Sequence, residues 1–168
     1  MGRRIRIVFP LVVFFIAVVM SYAIADEYPV DANTLGLWHF NGDLLDSTTN
    51  NYDFSGVGTS YSTDSKYGSH SVEIETSDYM TQNTLLDNVP ASGTVEMWVK
   101  PKSVWSSGSP TWKQIWLKKN GASDWMGVAM RTDRSGSICF YTRHSSIDYE
   151  ACTATQTWNR VWTHIAAT

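Results

Sequence analysis

The stretch that decides the fold is Gly93-Thr94-Val95-Glu96-Met97-Trp98-Val99-Lys100-Pro101. Along an extended chain Val95, Met97 and Val99 point one way, and Glu96, Trp98 and Lys100 point the other. That period of two predicts a strand with one face in a core. Pro101 has no amide hydrogen to donate to a ladder, so the strand is expected to stop there. Pro90, Ser92 and Gly93 make a turn-rich approach to it.

The rest of the composition agrees with a β protein. At 168 residues the chain is long enough for one domain. With 43% hydrophobic and 17% charged residues it has the means to bury a core rather than stay disordered. Eight Trp and eight Tyr, with many Thr and Val, favour pleated surfaces. No long amphipathic helical pattern follows the first thirty residues, so the mature chain reads as nearly all β.

Residues 1–25 read separately. Arg3, Arg4 and Arg6 form a basic start, and Ile7 to Met20 is an apolar run of 14 residues interrupted only by Pro10. Ala23-Ile24-Ala25 has the small-x-small form of a cleavage site. This is the pattern of a secretory signal peptide cut between Ala25 and Asp26. The competing reading is a retained anchor, but the run is shorter than the roughly 20 residues of a membrane span. The protein is therefore expected to be secreted or at the cell surface, meeting the membrane only during export. Loss of three Arg and no acid takes the formal charge from -3 to -6. An acidic chain without a basic cluster is a poor partner for nucleic acid.

Cys139 and Cys152 are the only cysteines. An exported chain can oxidise them, and the hairpin around them supports a bond. If Ser145-Ser146 is a turn closed by His144 and Ile147, Cys139 falls opposite Cys152, Arg143 opposite Asp148, and Phe140 opposite Ala151. Counting outward from the closing pair puts the cysteines at a non-hydrogen-bonded position, where side chains come closest. Two reduced, buried thiols are the alternative.

The remaining segments follow in order. Asp26 to Thr34 is a polar lead-in. Leu35 to Phe40 reads as a first strand covered on both faces, and Asn41 to Ser60 as a long polar loop with a short strand at Tyr52 to Phe54. Val72 and Ile74 alternate with Glu73 and Glu75. Asp78-Tyr79-Met80 is a further short strand, and Thr81 to Ser92 is a connection with a helical turn at Leu85-Leu86. After a Ser/Gly/Pro loop at Ser103 to Thr111, strands are expected at Lys113 to Lys118, Met126 to Met130, Ser137 to Thr142, Ala151 to Thr155 and Trp162 to Thr168. Turns are expected at Lys119-Asn120-Gly121 and Asp133 to Gly136. Short strands at this spacing suggest a sandwich or barrel.

Five of these segments resemble, in order, the laminin G-like jelly roll, the pentraxin-like branch of the concanavalin A-like lectin/glucanase fold. They are Leu37-Trp38-His39-Phe40 with Asp46 to Asn50, Tyr67-Gly68 with Val72, Ile74, Tyr79 and Met80, Thr94 to Pro101, Ile115 to Gly121, and Trp162 to Thr168. The last, W-T-H-I-A-A-T, is the most specific. The resemblance covers residues 35–168 and implies an antiparallel jelly-roll β-sandwich. Ile74-Glu75-Thr76 and Thr48-Thr49-Asn50 depart from the usual family residues. The family also continues past such an A-A-T with a further hairpin and strands, so the resemblance implies a domain incomplete at its C-terminal end.

What the resemblance implies for function is recognition of a glycan or an extracellular protein through rim loops, inside a larger secreted or surface protein. Many members hold calcium at such a rim, for which Asp43, Asp46 and Asp78 are the candidates here; solvated turn aspartates are the preferred reading. Trp38, Trp98 and Trp162 sit in family motifs and read as packing residues. Trp105, Trp112 and Trp125 lie in or beside expected loops, where an aromatic ring can stack on a sugar; partly buried anchors are the plainer reading. Glu73, Glu75 and Asp78 make a degenerate form of the carboxylate motif of related glycoside hydrolases. Glu73 and Glu75 would share a strand face roughly 6 to 7 Å apart, near what paired glycosidase carboxylates need. A hydrolase is thus the alternative function and a structural spacer a third. His39, His70, His144 and His164 lack metal-ligand spacing.

Overall fold

The computed structural model describes residues 29–82, 92–104, 112–120, 124–131, 136–145, 147–154 and 158–168. Ten strands run through them: β1 (Ser55–Val57), β2 (Ser60–Ser62), β3 (Ser71–Glu73), β4 (Tyr79–Thr81), β5 (Val95–Val99), β6 (Trp112–Asn120), β7 (Asp124–Arg131), β8 (Ser137–His144), β9 (Ile147–Cys152) and β10 (Thr163–Ala167). The described residues contain no helix, and the protein is all-β. Every strand pairing is antiparallel. β6-β7-β8-β9 form a four-stranded sheet, while β5 pairs with β10, β2 with β3 and β1 with β4.

The core lies between the four-stranded sheet and the β5–β10 ladder. Val128 and Met130 of β7, Ile138 and Phe140 of β8, Met97 and Val99 of β5, and Ile165 and Ala167 of β10 meet there with Trp158. Each pair is spaced by two residues, so each strand gives one face to the interior. Two sheets packed face to face in this way make a sandwich-like arrangement. Trp158 is buried, and its indole N–H donates to the Gly136 carbonyl at 3.1 Å.

β5 runs as its alternation predicts and ends before Pro101. Its Met97 and Val99 face the core, and Trp98 faces outward under a lid from the β2–β3 connection. The Tyr67 ring meets Trp98 edge-on at 5.9 Å, and the Lys66 ammonium lies 4.4 Å from the indole centroid. His164, directly opposite on β10, packs against the same ring. Asp64 pins this lid by accepting from Lys100 and, at 3.2 Å, from the Trp162 indole.

Cys139 and Cys152 are bonded, directly opposed, with Cα atoms 4.1 Å apart. That is the close spacing of a non-hydrogen-bonded pair. Arg143 stands opposite Asp148 and Phe140 opposite Ala151, the register expected from the sequence. Ser145 turns the chain with φ of 49°.

Several boundaries differ from expectation. Leu35 to Phe40 is not a strand. Its backbone groups are taken by the loop that follows: the Leu37 N–H donates to the Asp46 carboxylate at 2.9 Å, and the Leu37 carbonyl accepts from the Ser47 amide at 2.7 Å. Phe40 then leaves the extended region with φ of 57°. The short strand expected at Tyr52 to Phe54 lies instead at Ser55–Val57, because the Phe54 amide bonds back to Leu44. β3 stops at Glu73, and Ile74 is exposed. β6 continues through Lys119 and Asn120, where a turn is expected, and Asn120 pairs with Asp124. β9 spans Ile147–Cys152 rather than Ala151 to Thr155. The signal segment with Ala25 and Asp26, the Leu85-Leu86 turn and Trp105 lie outside the described residues. Among the described residues no helix is long and apolar enough to cross a membrane.

Candidate functional site

The most structured group of polar and aromatic side chains lies on the outer face of the four-stranded sheet, opposite the core. On β7 the period of two sets Trp125, Gly127, Ala129 and Arg131 on this face. On β8 it sets Cys139, Tyr141 and Arg143 there, with Cys152, Glu150 and Asp148 of β9 opposite them. Ala129 and Cys139 are fully buried and Tyr141 nearly so. The middle of the sheet is therefore covered on both sides.

β6 joins this face through a bulge. Its register against β7 slips between Gln114 and Trp116, and Ile115 and Trp116 both pack against the core. A bulge leaves ladder groups unpaired. Gln114 meets that demand: its amide nitrogen donates to the Val128 carbonyl at 3.0 Å and to the Trp116 carbonyl. Its amide oxygen accepts the Tyr141 hydroxyl, which reaches across β7 above Gly127. Burial pushes the Tyr141 phenol above its ordinary pKa. It therefore stays a donor across the physiological range.

Trp125 is held from the other side. Its ring meets Tyr141 edge-on at 4.8 Å, and the Arg143 guanidinium lies 5.2 Å from its centroid. Arg143 is fixed in turn by two bonds to Asp148, at 2.6 and 2.9 Å. The Asp148 bond raises the Arg143 pKa, and the same bond lowers that of Asp148. Arg131 pairs with Glu150 at 2.7 Å on the same face. Trp125, Tyr141, Gln114, Leu117 and Lys119 line an open depression of about 250 Å³.

The residues singled out from sequence fall in separate places. Trp125 is in the site, at the second position of β7, which begins at Asp124. Trp112 opens β6, its backbone paired with Arg131. Asp46 is buried, and its carboxylate accepts the amides of Leu37, Thr48 and Tyr52 and the Thr48 hydroxyl at 2.7 to 3.0 Å. Burial alone would raise its pKa, but those donors outweigh it and the net shift is downward. Asp46 is thus the hub of the 35–52 segment. Asp43 accepts from the Leu45 amide and Asp78 from the Glu75 amide. The three aspartates do not gather into one ligand set. Among the described residues the sole such grouping is Cys139, Glu150 and Cys152, whose sulfurs are bonded to each other. Glu73 and Glu75 both bind the Lys102 ammonium in a surface ion cluster.

Gln114, Leu117, Lys119 and Tyr141 were not indicated by sequence reasoning. Tyr141 carried a signal, since it alternates with Phe140 on an expected strand. Gln114 carried none, because only the bulge brings it to the face of Leu117 and Lys119. Comparison of the chain with protein-family models, with curated proteins and with solved structures finds no match.

Proposed function

We propose that this chain is an exported recognition module of the laminin G-like jelly-roll type that binds a glycan on the outer face of its four-stranded sheet. The depression walled by Trp125 and Tyr141, with Leu117, Gln114 and Lys119 around it, carries this reading. Aromatic rings pack against the apolar face of a sugar, and a few polar groups orient it. The walls are set before any ligand arrives: Tyr141 by Gln114, Trp125 by Arg143 and Asp148. Preset side chains reduce the ordering cost of binding. The jelly-roll assignment is supported by the antiparallel pairing, by the β5–β10 ladder packed on the larger sheet, and by the ordered family-like segments. Export is supported by the disulfide, which persists in oxidising compartments.

The test is a glycan array probed with the full chain, followed by titration of the best ligand monitored by Trp fluorescence. Trp125→Ala is expected to weaken binding at least about tenfold, with Trp125→Phe retaining part of it, since removal of one central aromatic anchor commonly costs that much. Undiminished binding by Trp125→Ala would remove the site from this face.

A further inference from the structure

We infer that the saccharide taken by this depression is anionic, with its carboxylate or sulfate seated on Lys119; the inference rests on the glycan reading of the same site. It follows from which polar groups there are already spent. The Tyr141 hydroxyl donates to Gln114, and the Gln114 amide nitrogen donates to two backbone carbonyls of the bulge. Using either group as a donor to a sugar would unmake a bond inside the sheet and leave a polar group unpaired. Arg143 is answered by Asp148 and Arg131 by Glu150, so those two cations are neutralised within the face.

Lys119 is in a different position. It is exposed, and among the described residues it has no ion-pair or hydrogen-bond partner. It is the direct cross-strand neighbour of Trp125, and both residues line the depression. On the same face Leu117 is 46% exposed and adds apolar surface. A sugar ring packed against Trp125 and Leu117 would place an acidic substituent within reach of Lys119. An ammonium offers three donors and no acceptor. To a carboxylate or sulfate it adds the attraction of opposite charges, which a neutral hydroxyl does not supply. In a chain of formal charge -3, this is a local positive spot on a paired surface.

The test uses the full chain on an array of neutral, carboxylated and sulfated saccharides. Bound spots are expected to be acidic, and the carboxylated and sulfated spots distinguish the two acids. For the best-bound acid, Lys119→Met should weaken affinity about threefold to fivefold and Lys119→Arg should retain it, as loss of one exposed ion pair predicts. Raising salt should weaken the wild type and leave Lys119→Met nearly unchanged, because the contact is exposed. A neutral saccharide bound as tightly as the acid of the same ring, or Lys119→Met bound as tightly as wild type, overturns the anionic inference and leaves the glycan reading standing. No bound saccharide of any class overturns both.

Discussion

Gly127 and Tyr141 face each other across β7 and β8, and a Cβ on Gly127 would stand 2.6 Å from the Tyr141 hydroxyl. The same Cβ would stand 2.6 Å from the Trp116 carbonyl oxygen, which belongs to the backbone of the bulge. The missing side chain is what allows a phenol on β8 to bond to an amide on β6. Three strands are thereby tied together through one glycine.

Gly127→Ala should therefore do more than fill space. Neither the bulge carbonyl nor the buried ring can retreat freely, and overpacking of this kind costs about 2 kcal/mol. Chemical denaturation is expected to show that loss, and near-ultraviolet circular dichroism should show a changed Tyr141–Trp125 environment. An unchanged stability would mean that the ring can tilt away, and the site would not be preset.

The Cys139–Cys152 bond closes the β8–β9 hairpin between residues at a sequence separation of 13. A loop of that size contributes roughly 3 kcal/mol through restriction of the unfolded chain. Protein from an oxidising compartment should show no free thiols when denatured without reductant. Reduction, or the double Cys→Ala variant, should lower the midpoint of unfolding by a corresponding amount. Two titratable thiols in oxidised protein would contradict this.

Asp46 predicts an acid limit. Its folded pKa lies below the ordinary carboxylate value, so its stabilising contribution is fully present above the unfolded-chain value of about 3.9. That contribution is lost as pH falls through the lower folded value. Asp46→Ala should destabilise by roughly 2 to 3 kcal/mol at neutral pH, since it strands donors that now bond to a charged acceptor. The difference between wild type and variant should shrink as the pH is lowered below about 3.9. A constant difference across that window would assign the effect to shape rather than charge.

Trp98 separates packing from polarity. Its indole nitrogen is buried and finds no acceptor among the described residues. Trp98→Ala should cost about 3 kcal/mol, because Tyr67, Lys66 and His164 would lose the ring they pack on. Trp98→Phe keeps much of that ring and removes an unsatisfied donor whose burial is itself costly. The Phe variant is expected to lie within about 1 kcal/mol of wild type, offsetting lost area against the removed donor. A Phe variant as unstable as the Ala variant would reveal an acceptor for the indole.

The sequence alone determined the local part of this fold. β5 was legible because Val95, Met97 and Val99 alternate without interruption and Pro101 ends the ladder. The β8–β9 register was legible because a tight hairpin makes pairing a matter of counting from the turn, and side-chain period two then places Arg143 against Asp148. Other features depended on competition between distant partners. Leu35 to Phe40 has the composition of a strand, but Asp46 captures the Leu37 amide, and nothing local reveals that a buried carboxylate will outbid a neighbouring strand. The Lys119-Asn120-Gly121 turn signal was expected to end the strand at Lys118; the pairing of Asn120 with Asp124 extends β6 and starts β7 before Trp125. The site itself turned on Ile115. Uninterrupted alternation would set Gln114 on the face of Trp116 and Lys118, away from Lys119. In the folded protein Ile115 and Trp116 both find room against the core, the register slips by one residue, and Gln114, Lys119 and Trp125 come to one face. That slip is decided by packing between two sheets, which no stretch of β6 encodes by itself.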